Sequence, residues 1–287
     1  MNTLFRLLSV SFLTVLFITN AFADDSAPNW LKQAAAMQQP TYAKDVSGVV
    51  LYTSKDVTLD SEGKLVTIEN HAVKILSREG REHAVAVAFY LMSSSKVRDI
   101  SGWIIRPDGS VKEYDKKTVL DRIADTDDIY NEYRIKIIDA SSDVDTGFIF
   151  GYSVTTEEKP LFYQDNFSFQ DDLPVMQSRY SLNLPSGWKA SSITFNHAEV
   201  KPQTIGAGYV WELRNLPFIA DELMSPSVRN IAPRLAVSFA PEGDKLIFTR
   251  SLTTTRSTVP VEKYNSIKDF YTKIMAAEQS PVVLLKK

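Results

Sequence analysis

The sequence predicts a mainly β protein in which antiparallel sheets form a large or double β-sandwich, with an amphipathic helix near the carboxyl terminus. Apolar and polar residues alternate along many short segments, as expected for strands with one buried face and one face in water. These segments are rich in β-branched and aromatic residues. Turn-forming Gly, Pro, Asp and Ser residues separate them, as in packed antiparallel sheets.

The amino terminus has the three parts of a secretory signal peptide. Arg6 supplies a positive charge, residues 7–18 form an apolar run, and Ala21-Phe22-Ala23 is a small-x-small cleavage pattern. The apolar run is shorter than the roughly 20 residues that a membrane-spanning helix needs. We therefore expect residues 1–23 to be cleaved and the rest to be periplasmic or secreted, with no membrane span after cleavage.

The remaining chain divides into three parts. Residues 24–45 predict a tether that contains one short helix from Trp30 to Met37. Residues 46–240 predict the β-sandwich domain, for which a division into two subdomains near residue 170 is an alternative. Residues 241–287 predict a strand–helix–strand tail.

Within the domain, strand-like segments and turns follow one another in order. The segments are residues 49–59, 65–76, 85–91, 100–106, 133–137, 148–155, 179–184, 209–214 and 235–239. Residues 60–63 and 107–110 have the composition of hairpin turns. Residues 116–124 break the alternation and predict a helical turn.

The tail begins with a strand-like segment at residues 245–252. An amphipathic helix is predicted over 261–277, because its apolar residues recur at spacings of three and four. These residues are Tyr264, Ile267, Phe270, Tyr271 and Ile274. Residues 282–285 predict a last strand.

Charge and cysteine content exclude several classes of function. The net charge is −3 and becomes −4 when Arg6 is removed, which argues against nucleic acid as a partner because phosphate binding needs a basic surface. The chain contains no cysteine, so it has no disulfide, no lipid anchor on cysteine and no thiol nucleophile.

Five segments resemble motifs of one bacterial family. They are residues 104–109 ("RPDG"), 167–175 ("FQDDxPV"), 180–185, 211–217 ("WELxxLP") and 231–235 ("xAPRL"). The family is the bacterial domain of unknown function 3857, an exported β-domain that usually precedes a transglutaminase-like domain. The resemblance covers roughly residues 45–240. It implies a structural role for Arg106, Pro107, Asp108, Gly109, Gln170, Asp171, Asp172, Pro174, Trp211, Leu213, Pro217, Pro233 and Arg234.

The resemblance also implies what this chain lacks. In longer members a papain-like core with a Cys-His-Asp triad follows the β-domain, and its thiolate attacks an amide. Here the segment from Phe248 resembles the tail that follows this core, so the core is missing near residues 239–245. Residues 147–152 also depart from a "GxVIEY"-like strand of the family, since they carry no carboxylate.

Candidate chemistry in the residues themselves is sparse. His71, His83 and His197 have no metal-ligand spacing, and we predict no catalytic residue, metal or cofactor. Acidic residues at 125–128 and at Asp139, Asp143 and Asp145 could bind calcium, but solvated loops are the preferred interpretation because no EF-hand pattern is present.

A candidate binding surface is formed by aromatic residues next to two acids. It comprises Phe162, Tyr163, Phe167, Phe169, Asp171 and Asp172. Aromatic rings on a sheet face can stack on sugars or on a partner protein. The preferred alternative is that the aromatic rings fill the sandwich core.

The leading functional hypothesis is a non-catalytic exported module that binds or scaffolds an envelope protein or polysaccharide. One alternative is a carbohydrate- or peptidoglycan-binding module that uses the aromatic residues. The other is a hydrolase of unrecognised type in which Asp171 or Asp172 acts with Arg179.

Overall fold

A computed structural model describes residues 27–114, 116–124, 132–206, 208–220, 226–244, 247–252 and 255–260, the last two ranges as backbone only. The predicted signal peptide at 1–23, the predicted helix at 261–277 and the predicted strand at 282–285 lie outside these residues. So does the acidic segment 125–128. None of the helices in the described ranges is long and apolar enough to cross a membrane.

The described chain is mainly β, as predicted. Its helices are α1 (Asn29–Ala35) and α2 (Val228–Ile231), with short 3-10 turns at Glu79–His83 and Lys116–Thr118. Its strands are β1 (Gly48–Leu59), β2 (Leu65–Ile75), β3 (Val85–Leu91), β4 (Ser95–Ile105), β5 (Val111–Tyr114), β6 (Leu120–Ile123), β7 (Tyr133–Asp139), β8 (Ile149–Glu158), β9 (Gln164–Ser168), β10 (Val175–Asn183), β11 (Trp188–Phe195), β12 (Gln203–Ile205), β13 (Gly208–Leu216), β14 (Arg234–Pro241), β15 (Ile247–Leu252) and β16 (Thr255–Pro260).

These strands form one large sheet and two small sheets, with β15 and β16 as a separate hairpin. The large sheet has eight strands in the order β12-β13-β10-β1-β2-β8-β4-β5. The first small sheet has the order β3-β7-β6, and the second small sheet has the order β11-β14-β9.

One pairing in the large sheet differs from the antiparallel arrangement that the sequence predicts. β1 and β10 are parallel, with Val50 opposite Val175 and Thr58 opposite Asn183. Alternation of apolar and polar residues reports the face on which a side chain lies, but it carries no information on strand direction. The pattern therefore could not distinguish this pair from its antiparallel neighbours.

Both small sheets pack on the same face of the large sheet. One continuous core contains Phe150, Tyr180 and Trp211 of the large sheet together with Ile138 of the first small sheet and Phe239 of the second. The fold is thus a two-layered sandwich whose second layer is divided into two pieces.

The opposite face of the large sheet is covered by α1. Leu31 is 0% exposed and packs with Val49, Leu51 and Trp103 in a second core. The segment around α1 is therefore docked on the sheet, whereas the sequence predicts a tether there. Its composition suggested a linker because the apolar contacts come from only a few residues of the helix.

Among the strands that were not predicted, β9 and β11 were missed because their sequences do not alternate. β9 reads Gln-Asp-Asn-Phe-Ser, and β11 mixes small, polar and apolar residues on both faces. The helical turn predicted at 116–124 is only Lys116–Thr118, after which the chain enters β6.

Candidate functional site

The gap between the two small sheets forms a cavity of about 380 Å³. Its floor is the large sheet, and its walls come from β9, from the start of β3 and from the 3-10 turn before β3. We call it the interlayer cavity. Its volume falls within the roughly 300–1,000 Å³ of small-ligand sites.

Four polar side chains form the floor of the interlayer cavity. Lys55 on β1 lies opposite Glu69 on β2, and His71 on β2 lies opposite Tyr152 on β8. Residues paired across antiparallel strands project from the same face of a sheet. On either side of the floor, the inner face of the large sheet is apolar, as at Val57. The floor is therefore a polar interruption of that face.

Lys55 connects the floor to the wall. Its Nζ donates to Oδ1 of Asp165 on β9 at 2.7 Å, and the hydroxyl of Tyr180 donates to Oδ2 of the same carboxylate at 3.1 Å. Burial alone would lower the pKa of Lys55, but the nearby carboxylates of Asp165 and Glu69 outweigh it and raise that pKa. The ammonium group is therefore held in its charged form.

The cavity is lined by more carboxylates than cations. Burial raises the pKa of Glu69 although Lys55 opposes this effect. Desolvation at the rim of the cavity and the neighbouring Asp172 raise the pKa of Asp171. Since Lys55 is already paired with Asp165, these acids lack a full complement of positive charge.

His71 lies stacked against Tyr152, with ring centroids 5.3 Å apart and ring planes inclined by 24°. Burial, with a smaller contribution from His83, lowers the pKa of His71 to about 4. The imidazole is therefore neutral at physiological pH. His83 in turn hydrogen bonds through Nε2 to Oγ of Ser47 at 3.1 Å.

The aromatic residues that the sequence proposed as a binding surface lie mainly in the core. Phe169 is 0% and Phe167 is 9% exposed, so neither can stack on a sugar from solvent. Half-buried Tyr163 packs against Trp188 at 4.9 Å between ring centroids. Phe162 is also half-buried. The predicted aromatic surface is therefore not formed by Phe167 and Phe169, because Phe167 on β9 and Phe169 just after it both lie in the core.

The two acids of the same predicted surface do line the interlayer cavity. Asp171 is exposed and Asp172 is half-buried at its rim. The backbone carbonyl of Asp172 also accepts a hydrogen bond from the amide of Ile219 at 2.9 Å. Arg179 lies next to Tyr180 on β10 and therefore projects from the opposite face of the sheet. The proposed pairing of Asp171 or Asp172 with Arg179 is thus not formed.

Gln170 links two of the family motifs. It is 5% exposed, and its Nε2 donates to the backbone carbonyl of Leu173 at 3.3 Å and to that of Pro217 at 2.9 Å. Buried Pro174 follows in the same loop. The "FQDDxPV" and "WELxxLP" segments therefore meet at one side chain.

The remaining motif residues occupy structural positions. Trp211 is 1% exposed, and its Nε1 donates to Oγ of Ser192 on β11 at 3.1 Å. Half-buried Leu213 packs against the same core. The carbonyl of Pro233 accepts from the amide of Phe169 at 2.9 Å, and the guanidinium of Arg234 lies over the ring of Phe195.

The "RPDG" segment is a hairpin turn between β4 and β5. Gly109 has a φ of 84°, which side-chain-bearing residues rarely adopt. The Oδ1 of Asp108 accepts from the amide of Ser110 at 2.9 Å, and Arg106 donates to the hydroxyl of Ser110 at 3.1 Å. Pro107 occupies the position in which its fixed φ favours such a turn.

Two of the acidic residues considered for calcium, Asp143 and Asp145, have other partners. Asp143 accepts from Nζ of Lys112 and from the hydroxyl of Tyr114, both at 2.6 Å. Asp145 pairs with Arg81 at 2.9 Å. Within the residues that the structure describes, no group of three or more acidic or histidine side chains could hold a metal ion.

Sequence reasoning missed Lys55, Glu69, Asp165 and Tyr152. A signal for the first two was present, because Lys55 shares a face with Val57, and Glu69 shares one with Val73. A charged residue in register with inward-facing apolar residues marks either an ion pair or a site. No such signal marked Asp165, because the strand that contains it, β9, was not predicted.

The fold and the interlayer cavity define a two-layered β-domain with a polar pocket between its layers. The family model described as Domain of Unknown Function with solved-structure structure (DUF3857) matches residues 61–220, and the chain belongs to this family. The resemblance in the sequence motifs is thereby confirmed. A search of curated proteins finds no relative.

One solved structure shares the fold over part of its length, and a second has lower similarity. One is described as "a putative protease" from Parabacteroides distasonis ATCC 8503, with a TM-score of 0.58 and 17% identity over 67% of this chain and 40% of that chain. Yeast LTA4 hydrolase in complex with bestatin gives a TM-score of 0.34 and 11% identity over 79% of this chain and 34% of that one. This chain thus corresponds to less than half the length of either protein.

Proposed function

We propose that this protein is an exported, non-catalytic binding module of the bacterial envelope, and that the interlayer cavity is its ligand site. The observation that carries the proposal is the polar floor of the cavity, where Glu69, His71 and Tyr152 interrupt an otherwise apolar interface between two layers. Placing polar groups between packed sheets costs stability unless they are paired. Such an arrangement is typical of sites retained for binding.

Two observations support the proposal that the protein is non-catalytic. A chain without cysteine has no thiolate to attack an amide. The acid–base arrangement considered for a hydrolase is also poorly supported, since Arg179 and the cavity lie on opposite faces of the large sheet. Export is supported by the signal-peptide pattern of residues 1–23.

A carbohydrate-binding site built on aromatic stacking has less support. Phe167 and Phe169 are engaged in the core, and Tyr163 packs against Trp188. The cavity presents carboxylates instead. A protein or glycan ligand that carries hydrogen-bond donors or a positive charge fits this lining better than an uncharged sugar face.

Site-specific photo-crosslinking in cells tests the proposal. A photoreactive residue replaces exposed Ser168 on the rim of the cavity, and in a matched control it replaces exposed Glu113 on β5, away from the cavity. We expect a discrete crosslinked species from position 168 and none from position 113. Absence of any specific species from the rim position, with the protein folded and exported, would contradict the proposal.

An assay of amine incorporation tests the absence of catalysis. The purified chain is incubated with a glutamine-containing protein and a labelled primary amine. We expect no incorporation above the rate without protein. Incorporation by this cysteine-free chain would overturn the non-catalytic assignment.

A further inference from the structure

The second layer of the sandwich is interrupted between two strand edges that face each other. In the described chain, β9 pairs only with β14, and β3 pairs only with β7. Both strands contribute to the walls of the interlayer cavity, β9 through Ser168 and β3 through Val85. The unpaired sides of the two edges therefore border the same gap.

The free edge of β9 is identified by its hydrogen bonds. The amide of Phe239 donates to the carbonyl of Tyr163, and the amide of Phe169 donates to the carbonyl of Pro233. Because hydrogen-bonded pairs alternate along an antiparallel ladder, the backbone groups of Gln164, Asn166 and Ser168 point away from β14.

Two of these three amides already have local acceptors. The amide of Gln164 donates to the carbonyl of Phe162 at 3.0 Å, and that of Asn166 donates to Oδ1 of Asp165 at 2.8 Å. Among the described residues, the amide of Ser168 has no acceptor. Ser168 is thus the point of β9 at which an added strand would find a free donor.

The same alternation orients the edge of β3. The amide of Ala140 donates to the carbonyl of Ala84, so Ala86 and Ala88 bond to β7. The backbone groups of Val85 and Val87 therefore point away from β7, toward the gap. They have no partner among the residues described.

The gap is wide enough for an added strand. β9 lies over β1, as the contact of Asp165 with Lys55 shows, and β3 contacts β4 and β8 of the large sheet. Only β2 separates β1 from β8 in the large sheet. Since neighbouring strands lie about 4.8 Å apart, β1 and β8 are about 10 Å apart, which leaves room for at least one strand above β2.

We propose that the interlayer cavity binds an extended peptide segment, which adds a strand between β9 and β3 and places a lysine or arginine side chain over Glu69. This inference rests on the proposed function and specifies its ligand. Strand addition supplies backbone hydrogen bonds, while pockets beneath alternate side chains supply specificity. Filling the gap would join both small sheets into one continuous second layer.

Charge complementarity selects the basic side chain. Desolvation raises the pKa values of Glu69 on the floor and Asp171 on the rim, and Lys55, the cation opposite Glu69, is bound to Asp165. A cationic side chain that points down from the added strand reaches the same face of the sheet as Glu69. An acidic side chain at that position would meet carboxylates on two sides.

The test uses three labelled seven-residue β-forming peptides and fluorescence anisotropy with the chain from residue 24 onward. The first peptide carries a central lysine, the second a central glutamate, and the third is the lysine peptide with N-methylated backbone amides flanking the lysine. We expect the glutamate and N-methylated peptides to bind at least tenfold more weakly than the lysine peptide.

Protein variants locate the site. Glu69→Gln should weaken the lysine peptide at least fivefold, and the control Glu113→Gln on β5 should leave its affinity unchanged. Ser168→Pro removes the free edge amide and should weaken binding, while Ser168→Ala keeps that amide and should not. Circular dichroism verifies that each variant is folded.

The outcomes separate this inference from the proposed function. Equal binding of the three peptides, or binding insensitive to Glu69→Gln and Ser168→Pro, overturns the strand-addition inference. If the peptides do not bind but the rim position crosslinks to a glycan, the inference is wrong and the proposed function stands. If neither peptide binding nor crosslinking occurs, both fail.

Discussion

The Nζ of Lys55 lies 2.7 Å from Oδ1 of Asp165, and this contact joins two strands that belong to different layers. Lys55 is on β1 of the large sheet, and Asp165 is on β9 of the second small sheet. Both side chains are more than four-fifths buried, at 18% and 17% exposure. The pair holds β9 in place at the wall of the interlayer cavity.

The first prediction concerns this ion pair. Asp165→Ala leaves a largely buried ammonium group without its partner and also removes the acceptor of the Tyr180 hydroxyl. We expect a loss of about 2 kcal/mol in the free energy of unfolding, below the roughly 3–5 kcal/mol of a fully buried pair. Urea denaturation measures it.

A double variant provides the control. Because Lys55→Met with Asp165→Leu removes both charges, it should be destabilised less than the sum of the two single changes. Strictly additive effects would show that the two side chains do not interact.

The second prediction concerns the docking of α1. A β-carbon placed on Gly151 would lie 2.5 Å from Cδ1 of Leu31. Gly151→Ala should therefore cost about 1–3 kcal/mol of stability through overpacking, and Leu31→Ala about 2–5 kcal/mol through the cavity that it leaves. Thermal and urea denaturation measure both losses.

The two changes should partly compensate in the double variant, since the smaller residue at position 31 makes room for the added methyl group. If Leu31→Ala alone leaves stability unchanged, then α1 does not contribute to the fold in solution.

The third prediction concerns Gln170. Its amide group donates to two backbone carbonyls, and a carboxylate at the same place would present acceptors to both. Gln170→Glu should therefore lower the free energy of unfolding by about 2–4 kcal/mol at neutral pH. The exposed Gln203→Glu on β12 is the matched control and should change stability by less than about 0.5 kcal/mol. Equal effects of the two substitutions would contradict the role assigned to Gln170.

The fourth prediction concerns the pH dependence of stability. The pKa of His71 falls from 6.5 in the unfolded chain to about 4 in the folded protein. Between these values the unfolded chain binds the proton and the folded protein does not. This residue therefore lowers the free energy of unfolding as pH decreases from 6.5 toward 4, by at most about 1.4 kcal/mol per pH unit.

His71→Gln should remove this part of the pH dependence, whereas exposed His197→Gln should leave it intact. The pKa values of Glu69 and Asp171 are raised in the folded protein, so these two groups increase the free energy of unfolding as pH decreases in the acidic range. This contribution is present in all three proteins. The slopes between pH 6.5 and 5 are therefore compared by urea denaturation. Identical slopes for His71→Gln and the unmodified protein would refute the prediction.

The strands with clear alternation could be predicted because burial of one face dictates their composition. β2 and β13 are examples, and the structure gives them nearly the predicted bounds. β9 could not be found, since Gln164, Asp165 and Asn166 leave only Phe167 as an apolar inward residue. Its place in the sheet comes from pairing with β14 and from the contact of Asp165 with Lys55.

The interlayer cavity could be anticipated only in part. Asp171 and Asp172 were identified through the motif that contains them, and the structure places both at its rim. The floor depends on which strands are neighbours, because Glu69 faces Lys55 only through the order β1-β2 and Tyr152 meets His71 only through the order β2-β8. Strand order is a long-range property that alternation within one segment does not encode.

The parallel pairing of β1 with β10 has a consequence for the time at which the protein can fold. Asp56 and Ser181, which are hydrogen bonded across this pair, are 125 residues apart in the chain. Contacts at such separation slow folding, because a large loop must close before they form. The centre of the large sheet cannot be completed until β10 has been synthesised. The joining of β12, β13 and β10 to the rest of the large sheet therefore comes late in synthesis.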